Sequence, residues 1–380
     1  MLEIALKMLL GDRAKYLGLV FGIAFSTLLM SQQVSIFIGL MTRTANQVLD
    51  VTEADLWVMD PRVSYSDEVE ALPDMDLYRV RGVAGVSWAV PYYKGLAILR
   101  TKEGLLNQIS LVGVDDATLV GAPRKWLKGS VESLKRPNAM VLDVQGADFI
   151  WPGGNVELGR TAEINDRRVV VEGIADVSPP FITFPIAYMR YSEIRRILPP
   201  QRNMMSFVLV KAEPGVDPVA LAQRITAQTG LQALTWNDFA WRSVKYYLTR
   251  TGIPVNFGIT VVLGFLVGAA ITGQTFYIFV IENLKQFGAL KAIGTTNSQI
   301  LGMVVTQAVV VGAIGFGMGI GGSALFFTVT AGLTPALEGF RLYAEVILGT
   351  AFAVAVILLT SCVASVRRVF TLDPAIVFRG

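Results

Sequence analysis

Few side chains in this sequence could carry chemistry, and where acids cluster their spacing does not suit it. The 380 residues include no histidine, which removes the commonest general base, metal ligand and proton relay. A Ser-His-Asp triad, a zinc protease and a histidine-ligated haem are excluded together, whereas haem held by Tyr or Met is not. The single cysteine, Cys362, sits inside an apolar run. It allows no disulfide framework or cysteine metal cluster within one chain and reads as a small buried apolar residue. Asp115 and Asp116 are adjacent acids that point in different directions, as in a helix cap or a solvated turn. Asp67, Glu68 and Glu70 resemble a calcium loop only loosely, without its glycine or its closing Glu, and are assigned to a solvated face. No glycine loop for phosphate, nucleophile elbow or set of metal-spaced carboxylates occurs. No catalytic, cofactor-binding or metal residue is assigned, and a self-contained enzyme is not expected.

The elements that must position whatever function remains are set by lipid. Hydrophobic residues make up 53% of the chain and charged ones 17%, too apolar a balance for an ordinary soluble domain. The net charge of +3 is small and the basic residues are scattered, so nucleic acid is not an expected partner. A spanning helix needs roughly 20 apolar residues, because about 30 Å of hydrocarbon is crossed at about 1.5 Å per residue. Four uncharged stretches meet this, at 16–42, 254–281, 298–332 and 346–366. The first is too long, and too poor in a small-residue cleavage site, for a signal peptide. An amphipathic helix over 1–15 leads into it. A short external loop, 333–345, separates the last two spans, and a tail, 367–380, follows them. Span one carries Ser31, Gln32, Gln33 and Ser35, which are costly against lipid. They are expected to face a partner helix, with contact to substrate or a dimer axis as the alternative. Small residues such as Gly264 and Gly268 crowd span two, and with the polar residues of span one they suggest a dimer interface built from both.

Basic residues in short loops favour the cytoplasm. Lys7, Arg13, Lys15, Lys285, Lys291, Arg367, Arg368 and Arg379 fall on one side of this topology, against Arg341 alone in the other short loop. Both termini are then cytoplasmic, and 43–253 is a domain outside. Its runs Asp55 to Met59, Gln108 to Val112, Arg168 to Glu172 and Ser206 to Val210 read as strands separated by turn residues. Asp217-Pro218 opens a helix that Gly230 closes. The predicted fold class is therefore an α-helical membrane protein with four transmembrane helices and a large mixed α/β extracytoplasmic domain between helices 1 and 2, organised as one or two lobes. Trp241, Tyr246 and Tyr247 precede span two, as aromatic residues near a membrane interface do, and suggest a rigid link from domain to span.

Between spans two and three lies Glu282-Asn283-Leu284-Lys285-Gln286-Phe287-Gly288-Ala289-Leu290-Lys291-Ala292-Ile293-Gly294. Leu284, Phe287, Leu290 and Ile293 recur at helical spacing and Gly294 ends the helix, giving a short amphipathic cytoplasmic element over 282–297. On periodicity alone it would lie on the lipid surface. The segment resembles the pattern R-x-x-E-I-G-x-L-K-A-I-G-A-T-x-x-Q-I of FtsX-like and MacB-like ABC transporter permeases. Gly288, Leu290, Lys291, Ala292, Gly294, Thr296, Gln299 and Ile300 carry the match. The ending, Arg367-Arg368 through Asp373-Pro374-Ala375 to Arg379, is similar to the family's closing R-R-x-x-x-x-D-P-A-x-x-L-R. The overall look is nearest DevC-type and HrtB-type exporter permeases. One departure is that Gln286-Phe287 stands where the pattern has Glu-Ile, which leaves Glu282 to take the acidic role.

The resemblance implies a permease subunit of the bacterial cytoplasmic (inner) membrane. Energy would come from a separate ABC ATPase that binds ATP and Mg, with no cofactor in this chain. It also implies a second permease copy, read as a homodimer, and admits a membrane-fusion protein and an outer-membrane channel as further partners. Glu282, Lys285, Phe287, Gly288, Leu290, Lys291, Ile293 and Gly294 would couple to the ATPase. Phe287, Leu290 and Ile293 are expected as apolar anchors in its groove, and Lys285 and Lys291 as rim charges. The work would be mechanical, exporting or extracting a substrate from the outer leaflet or periplasm. The alternatives are an FtsX-type regulator that activates an external partner such as a cell-wall hydrolase, and a sensor with no ATPase.

Overall fold

The structure, a computed structural model, describes residues 2–153, 156–198, 204–333 and 339–370. The closing motif from Thr371 onward and part of the expected external loop lie outside them. The chain folds as two units, one of Leu40–Thr251 and one of the segments before and after it. The first helices are α1 (Leu2–Gly11) and α2 (Arg13–Arg43). The expected lead-in over 1–15 is thus split at Asp12, whose carboxylate accepts from the Lys15 N–H at 3.2 Å and caps α2.

In the inserted unit, α3 (Asn46–Leu49) and β1 (Leu56–Met59) precede α4 (Asp74–Arg81) and a long strand, β2 (Val86–Thr101). Then come β3 (Leu106–Val114), β4 (Lys125–Lys128), β5 (Ala139–Asp143), α5 (Val144–Ile150), β6 (Thr161–Ile164), β7 (Arg167–Asp176), β8 (Ile186–Arg190) and α6 (Tyr191–Ile197). The unit closes with β9 (Phe207–Ala212), α7 (Pro218–Thr229), β10 (Gln232–Thr235) and α8 (Trp236–Arg250). The strands join in the order β10-β1-β9-β2-β3-β8-β5-β7-β4, with β6 pairing β2 and β7. Parallel pairs, β3 with β8 and β5 with β7, sit among antiparallel ones, so the sheet is mixed. All four expected runs are strands.

Both faces of this sheet are covered, which explains why its strands read as apolar runs more than as strict alternation. Leu56, Val58, Val208 and Val210 enter one core, and Trp57, Met59, Phe207 and Leu209 the other. Helix α7 begins at Asp217, which accepts from the Val219 and Ala220 N–H groups, and ends at Gly230 with φ +73. Asp115 accepts from the Ala117 and Thr118 N–H groups in a turn. Asp116 accepts from the Ser192 N–H at 3.0 Å, at the first turn of α6. Strand β2 changes partners along its length: Val86 to Tyr92 pair with β9, and Tyr93 to Arg100 with β3. The two halves of the sheet meet on this one strand.

After the insertion come α9 (Ile253–Glu282), α10 (Leu284–Ala292), α11 (Asn297–Leu333) and α12 (Ala344–Phe370). Four helices, Arg13–Arg43, Ile253–Glu282, Asn297–Ala331 and Ala344–Val366, are long and apolar enough to cross a membrane. Helices α8 and α9 are not continuous. Thr251 between them is extended, at φ −118 and ψ 160, and two residues separate the helices.

Small residues let these helices approach closely. A Cβ on Gly319 of α11 would lie 2.6 Å from the Ala24 carbonyl oxygen of α2, and one on Gly268 of α9 would lie 2.0 Å from the Ser26 hydroxyl. Gly264 likewise packs on Leu29 and Met30 of α2. This corrects the reading of Gly264 and Gly268 as a dimer face, because α2 of the same chain already covers them. Ser31 is buried, with its Oγ 2.7 Å from that of Ser323 on α11, as expected for an interhelical contact. Gln32 and Gln33 are half-buried, and Ser35 is buried with no hydrogen-bond partner for its hydroxyl among the described residues. Cys362 is buried in α12.

Candidate functional site

The turn from α9 through α10 to α11 is built by local chemistry that accounts for its motif residue by residue. Asn283 donates its side-chain amide to the Phe279 carbonyl at 2.8 Å and marks the break after α9. Helix α10 stops where Gly294 takes φ +100, a left-handed conformation that favours glycine. The Thr295 N–H then returns to the Leu290 carbonyl at 3.0 Å. Helix α11 opens with a reciprocal cap: the Thr296 N–H donates to Gln299 Oε1 at 3.0 Å, and the Gln299 N–H to Thr296 Oγ1 at 3.4 Å. Ile300 is fully buried one residue later. Gly294, Thr296, Gln299 and Ile300 are therefore structural parts of a helix–turn–helix corner.

The expected contact residues of α10 divide between two faces. Phe287 is 0% exposed and sits in the same core as Phe279, Ile300, Val304 and Val366. Gly288 is buried beside it, and Leu284, Leu290 and Lys291 are half-buried. Lys285 is exposed and Ile293 is 84% exposed. The expectation for Phe287 is corrected here: its ring already fills the chain's own core, so it cannot also anchor in a partner's groove. Ile293, the C-cap of α10, keeps α-helical dihedrals, and six residues beyond Phe287 it lies about 120° around the helix, off the buried face. Glu282 is 54% exposed and its carboxylate pairs with Lys15 of α2. The beginning of α2 and the end of α9 are tied together at the base of α10.

The outer domain holds a second constellation, which reasoning from sequence missed. Lys94 lies in β2 just past the point where the strand changes partners, and is 8% exposed. Its backbone N–H and C=O are both satisfied by the Ser206 hydroxyl, each at 2.9 Å. Its Nζ donates to the Ser66 carbonyl at 3.0 Å and to Asp67 at 2.5 Å. Asp67, expected on a solvated face, is turned inward to this pair, while Glu68 accepts from the Ser64 N–H and Glu70 pairs with Arg62. Burial pulls the Lys94 ammonium below the ordinary lysine range, and the charge and hydrogen bond of Asp67 oppose it. Burial and the charge of Asp67 push the nearby Tyr247 phenol up. The available signal was a lysine inside the apolar run of a strand. Among the described residues no group of His, Cys, Asp or Glu could hold a metal.

Residues 16–228 match the MacB-like periplasmic core domain, and residues 258–374 match the FtsX-like permease C-terminal region. An uncharacterised ABC transporter permease of Mycobacterium tuberculosis is 26% identical over 309 residues, covering 81% of this chain and 79% of its own. The macrolide export ATP-binding/permease protein MacB of Salmonella typhi is 23% identical over 199 residues, 50% of this chain and 30% of that protein. The periplasmic region of MacB from Actinobacillus actinomycetemcomitans aligns with 51% of this chain and 94% of its own, at 14% identity and a TM-score of 0.39. With one family model laid over span one and the sheet domain, and the other over the remaining spans and the corner at Gly294, the chain belongs to the FtsX-like and MacB-like ABC transporter permeases.

Proposed function

We propose that this multi-pass membrane protein is the permease half of an export machine of the mechanical type. A separate ABC ATPase docks on α10 from the cytoplasm, and its closure is passed through the spans to the outer domain. That motion moves a substrate out of the outer leaflet or periplasm. The observation that carries the reading is the two-sided α10. Phe287 locks one face into the helix bundle and the Lys15–Glu282 pair ties its base, while Lys285 and Ile293 face away. A helix held firmly on one side and open on the other can transmit a push. The Salmonella MacB relative is named as both ATP-binding protein and permease, which supports pairing these permease folds with an ATPase. Both termini and α10 are then cytoplasmic, the membrane is the bacterial inner one, and two copies of this chain work together.

The test is recovery of the ATPase with tagged permease and its hydrolysis rate in nanodiscs. Leu290→Asp puts a charge into an apolar contact, where an unpaired buried charge costs several kcal/mol, and Lys291→Glu reverses a charge beside it. Both are expected to lose the ATPase. Retention by both, with normal stimulated hydrolysis, would refute docking at α10.

A further inference from the structure

A cavity of about 210 Å³ in the outer unit is lined by charged side chains of both signs and by two tyrosines. Drug-sized sites run to roughly 300–1,000 Å³, so an occupant here is small. Asp50, the residue after α3, forms part of the wall, and its carboxylate accepts from the Ser178 N–H at 3.1 Å and from the Ser178 hydroxyl at 2.7 Å. Burial raises this carboxyl above the usual carboxylate range, while Ser178 and the charge of Arg124 oppose the rise. Arg124 is exposed at the rim and acts on Asp50 through space only. The remaining charges, Lys125 and Asp176, pair with each other. Asp50 and Arg124 are thus left as two charges of opposite sign, both facing the cavity and not joined to one another.

Tyr92 of β2 and Tyr188 of β8 are 4% and 5% exposed, and both line the same cavity. Neither hydroxyl is hydrogen-bonded among the described residues, and neither oxygen is sealed off as the hydroxyl of Tyr191 is. With the rest of each side chain in the core, the cavity is what they open on. Burial, reinforced by the charge of Asp50, holds both phenols well above the ordinary range. They therefore stay protonated and offer neutral oxygens as acceptors.

These groups select an occupant by charge. An anion alone meets the Asp50 carboxylate, and a neutral alcohol leaves that buried charge uncompensated. Among the described residues no group of acids could hold a metal ion. An ammonium group brings the opposite charge and three N–H donors, enough for the carboxylate and the two phenol oxygens. An amine alone would still be repelled by Arg124, whereas a molecule that also carries a carboxylate is attracted by it. The four lining charges sum to zero, so a zwitterion leaves none unbalanced.

We propose that this cavity binds a small amino acid, its ammonium against Asp50 and the Tyr92 and Tyr188 oxygens and its carboxylate toward Arg124. Every residue invoked belongs to the outer unit, so the site does not rest on the permease reading.

The test is equilibrium dialysis of the full chain in detergent against radiolabelled glycine, alanine and β-alanine. Ethylamine and propionate, the ammonium and the carboxylate alone, serve as competitors. At least one amino acid should bind once per chain, and each competitor at least tenfold more weakly. The double variant Y92F/Y188F removes two hydroxyls that hold nothing else in the fold. It should weaken the amino acid about tenfold and leave the melting temperature of the ligand-free protein unchanged. Arg124→Gln alters an exposed side chain and should also weaken the amino acid about tenfold, without weakening ethylamine, a split that a merely structural role would not produce. Asp50→Asn should abolish binding; if it does not fold, the other two variants decide. Absence of binding by all three amino acids at millimolar concentration would overturn the proposal. So would ethylamine binding as tightly as the amino acids, or wild-type affinity in both Y92F/Y188F and Arg124→Gln.

Discussion

Phe287 and Ile293 belong to the same apolar stripe in sequence, yet the structure gives them opposite surroundings, and paired substitutions test the separate roles proposed for them. Phe287 is 0% exposed, and truncating a buried Phe to Ala costs about 3–5 kcal/mol through lost transfer energy and the cavity left behind. Phe287→Ala should therefore lower the unfolding temperature of the solubilised protein markedly. Ile293 is 84% exposed, so Ile293→Asp should leave stability within about 0.5 kcal/mol of the wild type. If the ATPase covers Ile293, burial of that side chain contributes about 1.5–3 kcal/mol to docking. Its loss weakens the complex by about 10- to 100-fold, and an aspartate adds a desolvation cost to that. The assays are thermal unfolding in detergent and titration of the ATPase onto permease in nanodiscs, with hydrolysis followed in parallel. Phe287→Ala should keep its affinity for the ATPase within about threefold but fail to stimulate hydrolysis fully, because the lever has lost its seat. Unchanged ATPase affinity for Ile293→Asp would refute the assignment of the open face, whatever Phe287→Ala does.

Two further outcomes follow from the packing. Gly319→Val places a Cβ 2.6 Å from a backbone oxygen of α2 and should destabilise the helix bundle by at least about 2 kcal/mol; Gly317→Val, with nothing within 4 Å, should be close to neutral in the same melt. Burial raises the Asp143 carboxyl from 3.8 to about 6 against the backbone N–H groups of Ile186, Gly146 and its own residue. The native state then binds more protons than the unfolded chain between these values, so stability falls as pH rises through them, by about 3 kcal/mol at most. Asp143→Asn still caps α5 and should flatten this slope, and identical melting shifts between pH 4 and 6.5 for wild type and variant would show that the carboxyl is not held protonated.

What was legible in this sequence follows from which forces leave a one-dimensional trace. Lipid demands long uncharged helices, so the four spans stand out, and a sheet covered on both faces demands apolar runs, so β1, β3, β7 and β9 stand out as well. Strand β2 was hidden because Pro91 and Gly95 interrupt it. Pro91 lacks a ladder donor yet still sits opposite Val208, and Gly95 has no room for a Cβ beside the Tyr93 hydroxyl at 2.2 Å. Lys94 was hidden because its meaning depends on Asp67, which β2 meets only after the fold is closed; alone, a strand lysine reads as pointing to solvent.

The segment between the second and third spans shows a different limit. Apolar residues at helical spacing state that a helix has a covered face, but the spacing is the same whether the cover is the chain itself, lipid or a partner. Here the chain covers Phe287 and Gly288, and the stripe ends when the helix does, at Ala292. Ile293 keeps α-helical dihedrals one residue further on, turned away from Phe287 around the helix, and Gly294 then turns the backbone into the cap of α11. An exposed isoleucine held by a glycine turn and a capping box, between two spanning helices, is oriented by the rigid corner around it. The residues that make the motif specific, Gly294, Thr296 and Gln299, therefore set the position of Ile293, and under the docking proposed at α10 the contact would fall to Ile293 and its exposed neighbours.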